Sequence, residues 1–241
     1  MVKIGCLANF NNPYEHEVKF AKENGFTIMQ VWYDKEGIKK YKTEENRLDE
    51  IIKFDFPTII HAVLDINDIL AHIPELIKIL NILNQKELII HPICHSEVIN
   101  ESTIIKLADI INKVLNLLKP QEITLYLENN SKLDPIFSTS KEIEVMFLKN
   151  PELEFVLDIA HIYNYKHLQE MVFAKMPQKL HITDSHFDII HEHIPIGCGD
   201  INFQYIFSEI LFDFQGEIII ELTKEDKDIV NAKEIIENCL V

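Results

Sequence analysis

Six apolar runs along this chain each stop at a histidine or a carboxylate. They are TIIH ending at His61, LIIH at His91, TLYLE at Glu128, FVLD at Asp158 with His161 three residues on, KLH at His181 and IIIE at Glu221. A single polar ending means little, because strand ends are polar anyway. Six in succession, each followed by a stretch of helical period, describe strands whose C-terminal ends meet around one rim. The fold that this order predicts is a single (β/α)8 barrel, an α/β architecture with a parallel eight-stranded barrel ringed by helices.

The periodicity supports that order along the whole chain. Strands are expected near 3–8, 27–33, 57–62, 87–91, 122–128, 154–159, 178–183 and 217–222. Helices are expected near 13–24, 43–53, 68–84, 98–118, 140–149, 165–173, 202–211 and 226–238. The strand runs are almost unbroken Ile, Leu and Val, which suits parallel strands covered on both faces. Segment 68–84 repeats apolar residues at helical spacing, with Pro74 marking a kink or the true start of the helix. Ser102 or Thr103 would cap the helix at 98–118, and Pro120 follows its end. With no linker or low-complexity tract, residues 1–241 read as one domain, of the size usual for such a barrel.

Composition narrows the chemistry. A net charge of −16 argues against a broad electrostatic grip on nucleic acid. Arg47 is the only arginine, so the residue best shaped for bidentate phosphate recognition is nearly absent. The four cysteines, Cys6, Cys94, Cys198 and Cys239, are far apart and form no C-x-x-C pair, which reads as a reduced set. The first residues run straight into a strand pattern without a signal-peptide layout, and no apolar stretch reaches membrane-spanning length. A cytoplasmic protein without membrane contact is the expectation; oligomeric state is unreadable, with a homo-oligomer open.

Glu128, Asp158, His181 and Glu221 end the last four strand runs, which are neighbours around half a barrel rim. Three carboxylates and an imidazole make a mixed O/N site suited to a divalent cation. A lone histidine on an apolar strand is more often a packed core residue. His61, His91, His161 and His193 nevertheless fall at equivalent strand ends or in the long loop 184–200, and would complete the ring. His191 stands two residues before His193, so both side chains point the same way in an extended segment. His95 and His186 lie near the rim without an assigned role, while His16, His72 and His167 fall in expected helices as surface or packing residues. Trp32 and Tyr33, at the second strand's end, are placed to stack on a ring, although packing or a rim cover explains each as well. Asn9 and Phe10 are similar candidates after the first strand.

The motifs LENN at 127–130, LDIAH at 157–161, KLHITDS at 179–185, HEHIPIGCGDI at 191–201 and IEL at 220–222 resemble, in order, those of the xylose isomerase-like TIM barrels. That superfamily holds sugar isomerases, sugar 3-epimerases, inosose-processing enzymes and endonuclease IV-type enzymes of abasic-site DNA. The resemblance to the sugar enzymes implies one divalent cation, zinc or manganese, on Glu128, Asp158, His181 and Glu221. Glu128 and Glu221 would then be the bases flanking an enediolate, with His161 on a substrate oxygen. An arginine common in such epimerases has no counterpart in loop 184–200, and Cys198 replaces an acidic residue between two glycines.

The resemblance to endonuclease IV implies three zinc ions on His61, His91, Glu128, Asp158, His161, His181, His193 and Glu221. There His191 stands where that family has aspartate, and Glu192 where it has arginine. The single arginine and the negative charge count against DNA as the substrate. A protein that holds a sugar without converting it is the third class, though paired glutamates exceed what binding needs.

Overall fold

A computed structural model of the protein describes residues 2–240. Seventeen named strands and helices alternate: β1 (Lys3–Leu7), α1 (Tyr14–Glu23), β2 (Met29–Asp34), β3 (Gly37–Ile38), α2 (Arg47–Phe54), β4 (Thr58–Asp65), α3 (Ile69–Ile82), β5 (Glu87–Ile93), α4 (Glu101–Leu118), β6 (Thr124–Glu128), α5 (Ser140–Lys149), β7 (Glu154–Asp158), α6 (Tyr165–Ala174), β8 (Lys179–Ile182), α7 (Phe203–Tyr205), β9 (Glu217–Ile220) and α8 (Asp226–Cys239). All but β3 form a parallel sheet that closes when β1 pairs with both β2 and β9. This is the (β/α)8 barrel expected from the sequence. The unforeseen β3 is a two-residue antiparallel return on β2, with Tyr33 opposite Ile38.

Strand period two builds the barrel interior in layers. Ile28, Ile59, Ile89, Tyr126, Val156 and Ile219 form a closed apolar plug. Two residues further along the same strands stand Gln30, His61, His91, Glu128, Asp158 and Glu221. Lys179, two residues before His181, is buried below and donates to Glu87 and Glu217, at 3.0 and 2.7 Å. The plug seals the floor, so the polar layer opens only upward.

Several local expectations give way to the actual geometry. Helix α3 begins at Ile69 and runs through Pro74, so Pro74 neither starts nor ends it; the cost is the missing N–H for the Leu70 carbonyl. Neither Ser102 nor Thr103 caps α4: Asn100 does, its side chain accepting from both of their backbone N–H groups. Helix α2 starts at Arg47 rather than 43, capped by Asn46. Segment 202–211 is a short helical turn at α7 that widens into a π-helical turn over Ile206–Ile210, which buries Ile206, Phe207 and Ile210 together.

The sole arginine is a structural strut. Arg47 is buried, pairs with Glu44 at 2.7 Å, donates to the Asn12 carbonyl and lies over the Tyr14 ring. All four cysteines are free thiols, and no helix among the described residues is long and apolar enough to cross a membrane.

Candidate metal centre

The polar layer gathers three overlapping groups of ligand atoms, each group within 4.8 Å: Glu128, Asp158, His181 and Glu221; His61, His91 and Glu128; and His61, His181 and Glu221. A fourth group, His161, His191 and His193, shares no member with them. Every histidine and carboxylate expected from the sequence as a ligand falls in one of these groups, and His161 Nε2 stands 3.3 Å from Asp158 where the two sets meet. Asp158 ends β7, and the 3-10 turn at Ile159–His161 carries His161 over the same opening. Loop 184–200 brings in His191 and His193.

The contacts within the carboxylate half are close but not hydrogen-bonded. His181 Nδ1 lies 3.2 Å from both Glu128 Oε2 and Glu221 Oε1. Glu128 Oε1 and Oε2, Asp158 Oδ2 and both His181 ring nitrogens are buried with no hydrogen-bond partner. Buried polar atoms are normally paired, and a set left unpaired while converging on one point is what a shared cation satisfies. The residues therefore fit a divalent ion held by oxygen and imidazole.

Titration reflects the same crowding. Burial works to raise Glu128, yet the neighbouring His91, His181 and His61 hold it well below the usual carboxylate range. Burial, reinforced by Glu128, raises Asp158, with His193 opposing. Burial also pulls down His91, but Glu128 outweighs it and lifts the imidazole to about 9. His181 reaches about 9 through Glu221 and Glu128, against burial. Without a cation, protons on these imidazoles balance the carboxylates.

In the three-histidine group the two rings of His161 and His191 are held down instead. Burial, then the charge of His193, pushes His161 down to about 3, and burial with His161 puts His191 near about 4. Each ring is held by its Nδ1. His161 donates to the Asn129 carbonyl at 2.8 Å, His193 donates to the Glu221 carbonyl at 3.2 Å, and His191 meets the Ser131 hydroxyl at 3.1 Å. That leaves Nε2 lone pairs facing inward, with those of His161 and His193 3.4 Å apart. Outer contacts of this kind orient metal-binding imidazoles.

His91 is set the same way. Its Nε2 donates to Asn130 Oδ1 at 2.6 Å, because the Asn130 amide nitrogen is committed to the Pro92 and Ile136 carbonyls. His61 is the exception. The Trp32 indole and the Gln30 amide both point at its Nδ1, at 3.0 and 3.1 Å, while its Nε2, 2.7 Å from Glu128 Oε2, is a further buried atom without a hydrogen-bond partner.

Several residues that hold the site went unassigned in the sequence. Gln30 is buried and donates to Glu221. Asn129 braces the Asp158 backbone through both N–H and carbonyl. Asp184, fully buried, accepts from the backbone N–H of Ser185, Gly197, Gly199 and Ile201 at 2.8–3.2 Å and so ties down loop 184–200. A Cβ at Gly199 would run into Asp184 Oδ1 and the Ser185 carbonyl, which is why that position is glycine.

The cavity above the layer has a volume of about 710 Å³, and Trp32 and Tyr33 line it. Tyr33 is buried with its hydroxyl donating to Glu75 and meeting His72, while Trp32 stacks on Phe10 at 5.9 Å. Asn9 is outside the lining; its Oδ1 accepts from Asn11 in a local turn. His95 reaches the cavity mouth, and His186 pairs with Glu192 on the loop. His16 is half-exposed beside Glu17, His72 sits against Tyr33, and buried His167 stacks on Tyr163.

A closed parallel barrel with an acid-and-histidine ring at its C-terminal rim defines a class of enzyme-bearing barrels. The chain belongs to the xylose isomerase-like TIM barrel family, whose model matches residues 18–239. Among solved structures it is similar to a D-tagatose 3-epimerase-like protein (17% identity, TM-score 0.75, covering 99% of this chain and 97% of that one). A D-allulose 3-epimerase from Methylomonas sp. is similar too (15%, TM-score 0.76, 99% and 98%). So is the IolI protein with a bound zinc atom (13%, TM-score 0.75, 99% and 98%). No curated protein matches.

Proposed function

We propose that the protein is a divalent-metal-dependent sugar isomerase or epimerase, with zinc or manganese at Glu128, Asp158, His181 and Glu221. The observation that carries this reading is the set of buried, unpartnered carboxylate and imidazole atoms converging on one point. A cation bound there would supply Lewis-acid polarisation of adjacent substrate oxygens. Glu128 and Glu221 approach that point from separate strands, on either side of His181. One carboxylate takes a proton from the carbon next to the carbonyl, and the other returns it on the opposite face or at the neighbouring carbon. The His161 and His193 Nε2 atoms accept from substrate hydroxyls, and His61 and Gln30 keep the two glutamates in place. Catalysis of this kind fits the small polyol substrates of the similar epimerases, and a cytoplasmic setting is in keeping with the free thiols.

A second reading draws on one observation. The ligand atoms of His161, His191 and His193 lie within 4.8 Å of one another beside the quartet, so they offer a second cation site. An endonuclease IV-like zinc phosphodiesterase would use it. Against this reading, Arg47, being a buried strut, is not available to grip DNA.

Metal content per chain, by elemental analysis of protein purified without chelator, is the test. One manganese, cobalt or zinc ion, together with conversion of a ketose or aldose, is expected. Two or three zinc ions with cleavage of abasic-site DNA would replace the isomerase with the phosphodiesterase. Absence of any ion after metal soaking would remove both and leave a sugar-binding protein.

A further inference from the structure

The strand period that aims the ligands also sets what stands one layer above them. On β2, β4 and β5 the next inward residues after Gln30, His61 and His91 are Trp32, Val63 and Ile93. These three strands have six, eight and seven residues, whereas β6 to β9 have four or five. Pairing of β4 with β5 continues past the histidines to Asp65 opposite Ile93. The rim is therefore raised on one side, and the raised wall is apolar.

Leu133, from the loop after β6, faces the same space and is 67% exposed. Trp32, Val63 and Ile93 are each only partly covered, and all four line the cavity above the ligand layer. Charged side chains, Asp34, Lys35, Lys39, Asp65, Asp68 and Asp134, also line the cavity; Lys39 is already paired with Asp34 at 2.6 Å, and Asp65 accepts from the His95 N–H and the Ser96 hydroxyl. A free monosaccharide carries a hydroxyl on nearly every carbon and offers such a wall nothing to pair with. The cavity volume of about 710 Å³ lies in the range of drug-sized ligands.

Resting on the metal-site reading above, we propose that the substrate is a sugar or sugar-like polyol bearing an apolar, ring-sized substituent, which lies on Trp32, Val63, Ile93 and Leu133. The oxygen-rich end sits at the carboxylates, and the substituent one strand layer, roughly 7 Å, further out.

Hydroxamates test this without knowledge of the sugar's stereochemistry, since two oxygens chelate the cation and the tail is free to vary. Titration calorimetry on metal-loaded protein would compare acetohydroxamate with 3-phenylpropanohydroxamate. The phenyl compound is expected to bind tighter by roughly tenfold to a hundredfold, the effect of burying one such ring. Leu133→Asp, at an exposed position where folding is not at stake, and Val63→Asp should each reduce that preference and leave acetohydroxamate affinity unchanged. Equal affinity for the two compounds, or a preference that survives both substitutions, overturns the substituent site while leaving the metal reading standing. Failure of both compounds to bind overturns both.

Discussion

At the residue scale the site depends on which atoms are left without partners. On the proposed mechanism, Glu128→Gln and Glu221→Gln each remove a base but keep the shape, so each should lower kcat by roughly 100- to 10,000-fold, with an unchanged circular dichroism spectrum. Ordinary activity in either variant would remove the two-base mechanism. His167 gives a pH prediction away from the metal ligands. Burial lowers it, and its rings' two nitrogens are already used: Nε2 donates to the Ser138 carbonyl and Nδ1 accepts from the Tyr163 N–H. The unfolded chain binds this proton more readily, so the stability is present above about 6.5 and is lost as pH falls below that value. Urea midpoints at pH 7.5 and 5.5 should differ less in His167→Gln than in the parent. His61, His91, Glu128, Asp158, His181 and Glu221 were legible as rim residues because each is one polar residue closing an apolar run. Gln30, Asn129 and Asp184 were not, because Asn and Asp mark turns and caps equally well, and their roles depend on partners far along the chain.

At the element scale the strands were read within a few residues, and the errors gathered where side chains compete with the backbone. Asn100 lies just before the expected cap residues and takes the N–H groups of both. Pro74 suggested a boundary, but apolar burial of Ile69, Ile73 and Leu76 keeps α3 continuous across it. Loop 184–200 was recognised by its histidines, while its internal framework was not. That framework predicts that Asp184→Ala, which orphans four N–H groups, costs about 3 kcal/mol or more, measured by chemical denaturation. Gly199→Ala should be comparably damaging, because backbone and carboxylate oxygens already fill the space. A loss under about 0.5 kcal/mol in both would show that the loop is held by something else.

At the scale of the whole molecule, an apolar plug closes one end of the barrel and the polar ring opens at the other. The order of strands and helices and the polar ends of the runs were legible in the sequence. The plug was not, because unbroken apolar runs do not say which residues face inward. What the pattern does not encode is strand length above the ring, which depends on where each loop departs. A cation binding only the folded state at 100 times its Kd adds about 2.7 kcal/mol. Chelation should accordingly lower the Tm by roughly 5–10 °C for a chain of this size, and re-addition should restore it; an unchanged Tm would mean that no cation is held tightly. The ligands begin in β4 and finish just after β9, the strand that also closes the barrel against β1. A polypeptide growing from its N-terminus thus makes His61 early but has no complete quartet until its last strand has docked. On the proposed metal reading, capture of the ion would be a late event of synthesis, and half-made chains would be spared from trapping ions in the wrong place.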